Sequence, residues 1–167
     1  DILTLGKGTG GGMSIGAAVT SREIADEAKK TGCGVPWGST FVGEALDAAV
    51  AKRQLEILIR DGFAKRAAKL GEHFMRRLNE LKERHDVVGD VRGRGMYVGV
   101  EIVTDKATKQ KNGPLMQRIR YNAVANGLII GGSGNVLKTF PALIITEQEL
   151  DEGVAIIDRA IRLALDG

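Results

Sequence analysis

DILTLGKGTGGGMSIGAAVTS, residues 1–21, is the stretch on which the reading of this chain turns. Ile2 to Leu5 is a short apolar run that reads as a buried strand, and Ala17 to Val19 reads as a second. In a parallel sheet such strands need neighbours at their edges and helices on both faces. The residues given offer no such neighbours ahead of Ile2, so the chain is expected to begin inside a fold. Its first sixty residues are then expected to be stable only through contacts outside them. Between the strands runs Gly6-Lys7-Gly8-Thr9-Gly10-Gly11-Gly12. A strand ending in Gly-Lys-Gly brings an amine to a place where backbone can approach a ligand closely.

Three readings of that loop compete. A phosphate-binding P-loop needs Ser or Thr directly after Gly-Lys, and Gly8 stands there. Gly6, Gly8 and Gly11 match the G-x-G-x-x-G spacing of dinucleotide sites, but Gly10-Gly11-Gly12 is a poor opening for the helix that motif requires. The third reading is a surface lysine in a flexible loop. On the loop alone, a surface lysine and a ligand-binding lysine both stay open.

Outward from this stretch, composition narrows the classes. A length of 167 residues suits one domain, or one domain with a remnant of another. With 43% apolar and 27% charged residues the chain reads as a soluble globular protein. The net charge of +3 is mild, and basic residues such as Lys65, Arg66, Lys69, Arg76 and Arg77 are mixed with acids on helical patterns. Only 4% of residues are aromatic, so there is no basic, aromatic-rich stripe for nucleic acid. A single cysteine, Cys33, excludes a disulfide framework and a cysteine-rich zinc site, and fits a reducing, cytoplasmic setting. His73 and His85 lack metal-ligand spacing and read as surface residues of a charged helix, so no metal is expected. No apolar run is long enough for a membrane span, and no signal peptide is expected.

The element order is mixed α/β. Thr20 and Glu23 are spaced as a capping box for a first helix, and Glu44 to Arg60 forms an unbroken helical pattern that Gly62 ends. Phe63, Ala67, Leu70, Phe74, Leu78 and Leu81 make an amphipathic stripe. Val87 to Val103 is strand-like, and Leu115 to Asn126 reads as a helix stopped by Gly127. Leu128 to Ile130 and Val136 to Ile145 read as strands around a Gly131-Gly132-Ser133-Gly134-Asn135 turn. Thr146 and Glu149 repeat the capping-box spacing ahead of a last helix with Leu150, Val154, Ile157 and Ile161 on its core face. A boundary at Gly62 separates residues 1–62, including the helix over 44–60, from an αβ unit over 63–167.

The run from Asp1 to Ser21 resembles the segment around the cofactor lysine in class III aminotransferases, with Ser14 where a proline is common. The resemblance continues in Gly38-Ser39-Thr40-Phe41, in the stretch from Gly89 to Gly95 followed by Val98-Gly99-Val100-Glu101, and in the segment from Gly134 to Leu143. It implies the C-terminal part of a fold-type I pyridoxal-phosphate transferase: the end of the large-domain sheet over residues 1–62, an inter-domain helix, and the small C-terminal domain over 63–167. It also implies pyridoxal 5′-phosphate as cofactor, with Lys7 as the Schiff-base lysine. Ser39 and Thr40 would bind the phosphate, Thr40 that of the neighbouring subunit in a homodimer. Lys138 stands where the family usually carries an arginine for the substrate carboxylate; lysine keeps that charge and loses the planar fork. Arg92 and Arg94 are given mainly structural roles. The implied reaction moves an amino group from an amino acid or amine to a 2-oxo acid. Dialkylglycine decarboxylase and amino-acid racemases of the same fold share the framework, so those reactions stand beside transamination. Family members carry a longer N-terminal part that supplies further cofactor contacts, so this chain alone is expected to be inactive.

Overall fold

The computed structural model describes residues 1–32 and 40–166. Two compact units compose it, Asp1–Gly62 and Phe63–Gly167.

In the first unit β1 (Ile2–Leu5) leads into a 3-10 turn (Lys7–Gly10), followed by β2 (Ala17–Thr20), α1 (Arg22–Lys30) and α2 (Ala45–Arg60). The two strands pair antiparallel, with Ile2 opposite Thr20 and Leu5 opposite Ala17. With each other they form a two-stranded sheet; the parallel-sheet neighbours expected for them were to come from outside these residues. Ile2 is 64% and Leu3 56% exposed, so within these residues the two strands cover only each other. α1 is capped one residue later than the Thr20–Glu23 spacing suggests. Thr20 is still in β2, where its hydroxyl donates to the Asp1 carbonyl (3.0 Å), and the Ser21 hydroxyl accepts from the Ile24 N–H (3.3 Å). Gly11 adopts φ +60, where a side chain is disfavoured, and a Cβ there would stand 3.3 Å from both Val50 and Gln54 of α2. The glycine turn after Lys7 is thereby seated on that helix.

The second unit carries nearly all the buried apolar residues among those described. Its elements are α3 (Phe63–Arg84), β3 (Val88–Arg94), β4 (Tyr97–Asp105), β5 (Gln110–Lys111), α4 (Gly113–Ala125), β6 (Gly131–Ser133), β7 (Val136–Thr139) and α5 (Glu147–Asp166). The sheet is antiparallel, in the order β3-β4-β7-β6 with β5 added along β4. Alternation along the strands sends Val91, Val98, Val100, Ile102 and Leu137 to one face. There they meet Leu70, Phe74, Leu78 and Leu81 of α3, Leu115, Met116 and Ile119 of α4, and Leu150, Val154, Ile157 and Ile161 of α5. The Thr146–Glu149 capping box forms as spaced: the Glu149 carboxylate accepts from the Thr146 N–H (2.7 Å), and the Thr146 hydroxyl accepts from the Glu149 N–H (3.2 Å).

Three local expectations change. Leu128–Ile130 is not a strand; the glycine run expected to be a turn supplies β6 instead, and only Gly134-Asn135 turns. Having no side chain, Gly131 leaves room for the Phe140 ring, which lies 3.2 Å from where a Cβ would be. β7 stops at Thr139 and does not reach Ile145, since Pro141 has no N–H to continue the ladder. His73 and His85 are not surface residues: their side chains are 13% and 10% exposed. His73 Nε2 lies 2.9 Å from Asp151 Oδ1, and His85 Nε2 lies 2.6 Å from Asp158 Oδ1. Both aspartates are on α5, so the histidines tie α3 and the turn after it to that helix.

Candidate active site

Lys7 is where strand, turn and glycine meet. It follows β1 directly, its φ is +55, and its side chain is exposed. A non-glycine residue in the left-handed region is uncommon, and such conformations gather at functional sites. No hydrogen bond or ion pair to another described residue engages its amine, so Nζ is held on a shaped turn but not neutralised there. Gly8 and Gly12 leave open space on that turn, with nothing within 4 Å of where their Cβ atoms would be. A planar group can come close to this backbone.

Thr40 lies in the same unit, in the turn (residues 40–43) that precedes α2, and is exposed. Ser39 lies outside the described residues. Val42 and Leu46, next along the chain, are 69% and 61% exposed.

Lys138 belongs to the second unit. It sits on β7 opposite Gly99 of β4 and Gly131 of β6, on the sheet face away from the core. Arg92 of β3 is opposite Gly99 from the other side, so Arg92, Gly99 and Lys138 form one row across the sheet. The neighbouring row is Arg94, Tyr97 and Phe140. There Tyr97 and Phe140 stack with ring centroids 5.5 Å apart and planes 17° from parallel. The row on the other side begins with Asp90 and Glu101. With no side chain at Gly99, a hollow of about 340 Å³ opens between Arg92, Tyr97, Val136 and Lys138. Lys138 also borders an apolar cleft of about 530 Å³ lined by Phe74, Ile130, Phe140, Leu150 and Ile157.

Charge on this face is unevenly matched. Arg92 Nη1 donates to Glu101 Oε2 (2.7 Å) and to Asp90 Oδ2 (3.0 Å). The Arg92 hydrogen bond, with a second from Asn135, holds the Glu101 carboxyl below its usual range. Burial pushes the Asp90 carboxyl up, but hydrogen bonds from Arg92 and Lys82 together outweigh it. The structural role anticipated for Arg92 is thus an ion-pair clamp between β3 and β4. Lys138 has no hydrogen-bond or ion-pair partner among the described residues. Neither Glu101 nor the stacked rings stood out in the sequence. The signal for Glu101 was present, because Val98-Gly99-Val100-Glu101 puts it on the face of Gly99. Among the described residues no helix is long and apolar enough to cross a membrane, and no cluster of three His, Cys, Asp or Glu is placed to hold a metal.

The sequence model of one family, aminotransferase class-III, matches residues 1–161. A leucine/methionine racemase of Thermococcus litoralis is 36% identical over 162 residues, which are 96% of this chain and 36% of that protein. An acetylornithine aminotransferase of Caldanaerobacter subterraneus is 38% identical over 159 residues, 95% of this chain and 37% of that protein. The chain therefore spans little more than a third of the length of these relatives. Among solved structures, a pyridoxal-phosphate-bound amine transaminase from an uncultivated Pseudomonas species superposes with a TM-score of 0.90 at 30% identity, covering 98% of this chain and 38% of that one. A Bacillus anthracis aminotransferase superposes at 0.88 with 30% identity, covering 98% of this chain and 39% of that one. By a match that runs through both units, this chain belongs to the class-III aminotransferase family.

Proposed function

We propose that this chain contributes the lysine turn and the small domain of a pyridoxal-phosphate-dependent aminotransferase, which passes an amino group from an amino acid or amine to a 2-oxo acid. The observation that carries the reading is Lys7: an exposed amine without a partner, on a left-handed residue between a strand and a glycine turn. The residues fit the cofactor chemically. Lys7 offers an amine to an aldehyde, the glycines admit a flat ring, and Thr40 with Ser39 offers hydroxyl and backbone donors to a phosphate. When bound, pyridoxal phosphate supplies an electron sink that makes the bonds at the substrate Cα labile.

The work of the chain is then positioning and proton transfer. Lys7 would hold the cofactor through its amine, and its Nζ would serve as the base that takes the proton from the substrate Cα and the acid that delivers it again. Lys138 orients the substrate by attracting its carboxylate as a point charge, without the two-pronged geometry an arginine would impose. Thr40 is assigned to the phosphate site of a second subunit in a homodimer. The exposure of Val42 and Leu46 beside it supports that role, since such side chains are normally covered. A reducing, cytoplasmic setting is supported by the single cysteine.

Racemisation is a second reading, favoured by the identity to the racemase above. It would require the proton to return to the opposite face of Cα. Borohydride treatment of the full-length protein tests the first element of both readings: the cofactor should be fixed covalently on Lys7, and Lys7→Ala should abolish turnover. Attachment at Lys52 or Lys138 instead would refute the assignment. Incubation with one amino-acid enantiomer, with and without pyruvate, then separates the reactions. Alanine formed from pyruvate marks transamination, and the opposite enantiomer formed without it marks racemisation.

A further inference from the structure

The hollow on the open sheet face carries more cation side chains than usable charge. Arg92 and Lys138 flank Gly99, but Arg92 is clamped by Asp90 and Glu101, and Asp90 is also 3.4 Å from Lys82 Nζ. Of the two cationic side chains that line the hollow, Arg92 is therefore paired and Lys138 is the one with no hydrogen-bond or ion-pair partner among the described residues. Arg94 does not line the hollow. The remaining wall is aromatic and aliphatic: Tyr97, backed by the stacked Phe140, and Val136. On its other side Lys138 borders the apolar cleft.

We infer that the Arg92–Glu101–Asp90 clamp and the Tyr97 wall make Lys138 a subsite for monocarboxylates with an apolar substituent, and select against dicarboxylates. The inference rests on the reading of Lys138 as the carboxylate-binding residue and deepens it. A ligand with one carboxylate meets one uncompensated charge. A second carboxylate in the hollow would approach Arg92 and find the fixed negative charges of Glu101 and Asp90 already on it. Like charges at such range are repulsive, more so away from bulk water. Glu101 and Asp90 thereby act on specificity through Arg92 and do not touch the ligand.

The test compares butyrate with glutarate, two unreactive probes of similar size, on the full-length protein. Equilibrium binding is measured by calorimetry, and inhibition of turnover is measured alongside. The parent should bind butyrate more tightly. Glu101→Gln retains an oxygen for Asn135 and removes one negative charge, so the glutarate-to-butyrate affinity ratio should rise by about fivefold, the size expected for one unit charge at moderate distance in a partly exposed site. Asp90→Asn provides a second route to the same change should the first variant fold poorly. Lys138→Ala should weaken both probes. If Lys138→Ala weakens both but neither acid variant alters the ratio, the clamp has no part in selection and the inference is overturned. If Lys138→Ala leaves both probes unchanged, the underlying carboxylate reading fails first. A parent that prefers glutarate would overturn the inference outright.

Discussion

Replacing Gly71 by alanine sets two physical effects against each other, and the structure decides between them. Gly71 lies in the middle of α3, where glycine costs about 1 kcal/mol relative to alanine, so propensity alone favours the change. A Cβ on Gly71, however, would fall 2.4 Å from the carbonyl carbon of Gly95 and 2.5 Å from its Cα and O. Carbon atoms rest about 3.5–4.0 Å apart, so the β3–β4 turn would have to retreat by roughly 1 Å. Gly95 has φ +56 and cannot relax as a flexible side chain would. Overpacking against fixed atoms costs typically 1–3 kcal/mol. Taking the upper end and subtracting the helix gain gives a net loss of about 2 kcal/mol, equivalent to roughly 10 °C in melting temperature for a unit of this size. Gly153→Ala on α5 is the matched control, because its Cβ would meet only Leu128 Cδ1 at 3.9 Å and the helix gain should survive. Urea unfolding followed by circular dichroism should therefore move the two variants in opposite directions. The turn also leads directly into Tyr97, so Gly71→Ala should weaken butyrate binding as well. Equal or greater stability of Gly71→Ala would refute the steric reasoning.

Two further outcomes follow from the same geometry. Thr40→Ala should weaken cofactor binding in the full-length protein by about 1–3 kcal/mol, the loss expected when a charged acceptor gives up one donor; a titration of the cofactor-free protein reads this directly, and unchanged affinity would remove Thr40 from the phosphate site. Acid should destabilise the second unit. The Asp151 carboxyl is held low by hydrogen bonds from Arg77 and then His73, and at Asp158 burial is outweighed by His85, Arg84 and Arg162. A depressed folded pKa gives stability that is fully present above the unfolded value of about 4 and is lost as pH falls through the folded one. The urea midpoint should drop below about pH 4, and Asp158→Asn should show a shallower acid limb than the parent; parallel limbs would show that Asp158 carries none of the effect.

What could be read in advance was whatever is local. The stripes of α3 and α5 follow from spacing within one helix, and the Thr146–Glu149 box needs only four residues. Errors arose where the deciding partner is distant. The glycine run of β6 looks like a turn by composition and becomes a strand because β7 pairs with it and Phe140 covers it. His73 and His85 sit among charges in sequence, yet their partners, Asp151 and Asp158, come from more than seventy residues away. The site divides in the same way. Lys7 is legible because strand, lysine and glycine are adjacent. The Tyr97–Phe140 stack and the Arg92–Glu101 half of the clamp are not, because each joins residues that only the folded sheet makes neighbours.

That pairing depends on one irregularity. Val88 is opposite Ile102 and faces the core, so an uninterrupted two-residue alternation would send Asp90 inward too. The register shifts between Val88 and Asp90, inserting Gly89 as an extra residue, and the alternation resumes with Val91 in the core and Asp90 and Arg92 on the open face. The extra residue is itself buried, and a Cβ on it would stand 2.6 Å from Val103 Cγ1, so glycine is what permits the shift. Without the bulge Asp90 would be an acid facing the hydrophobic core, and Arg92 would lose one of the two carboxylates that neutralise it. A local backbone device in β3 thus helps to set the charge balance beside Lys138, two strands away, and couples the way this sheet packs to the anions its open face can accept.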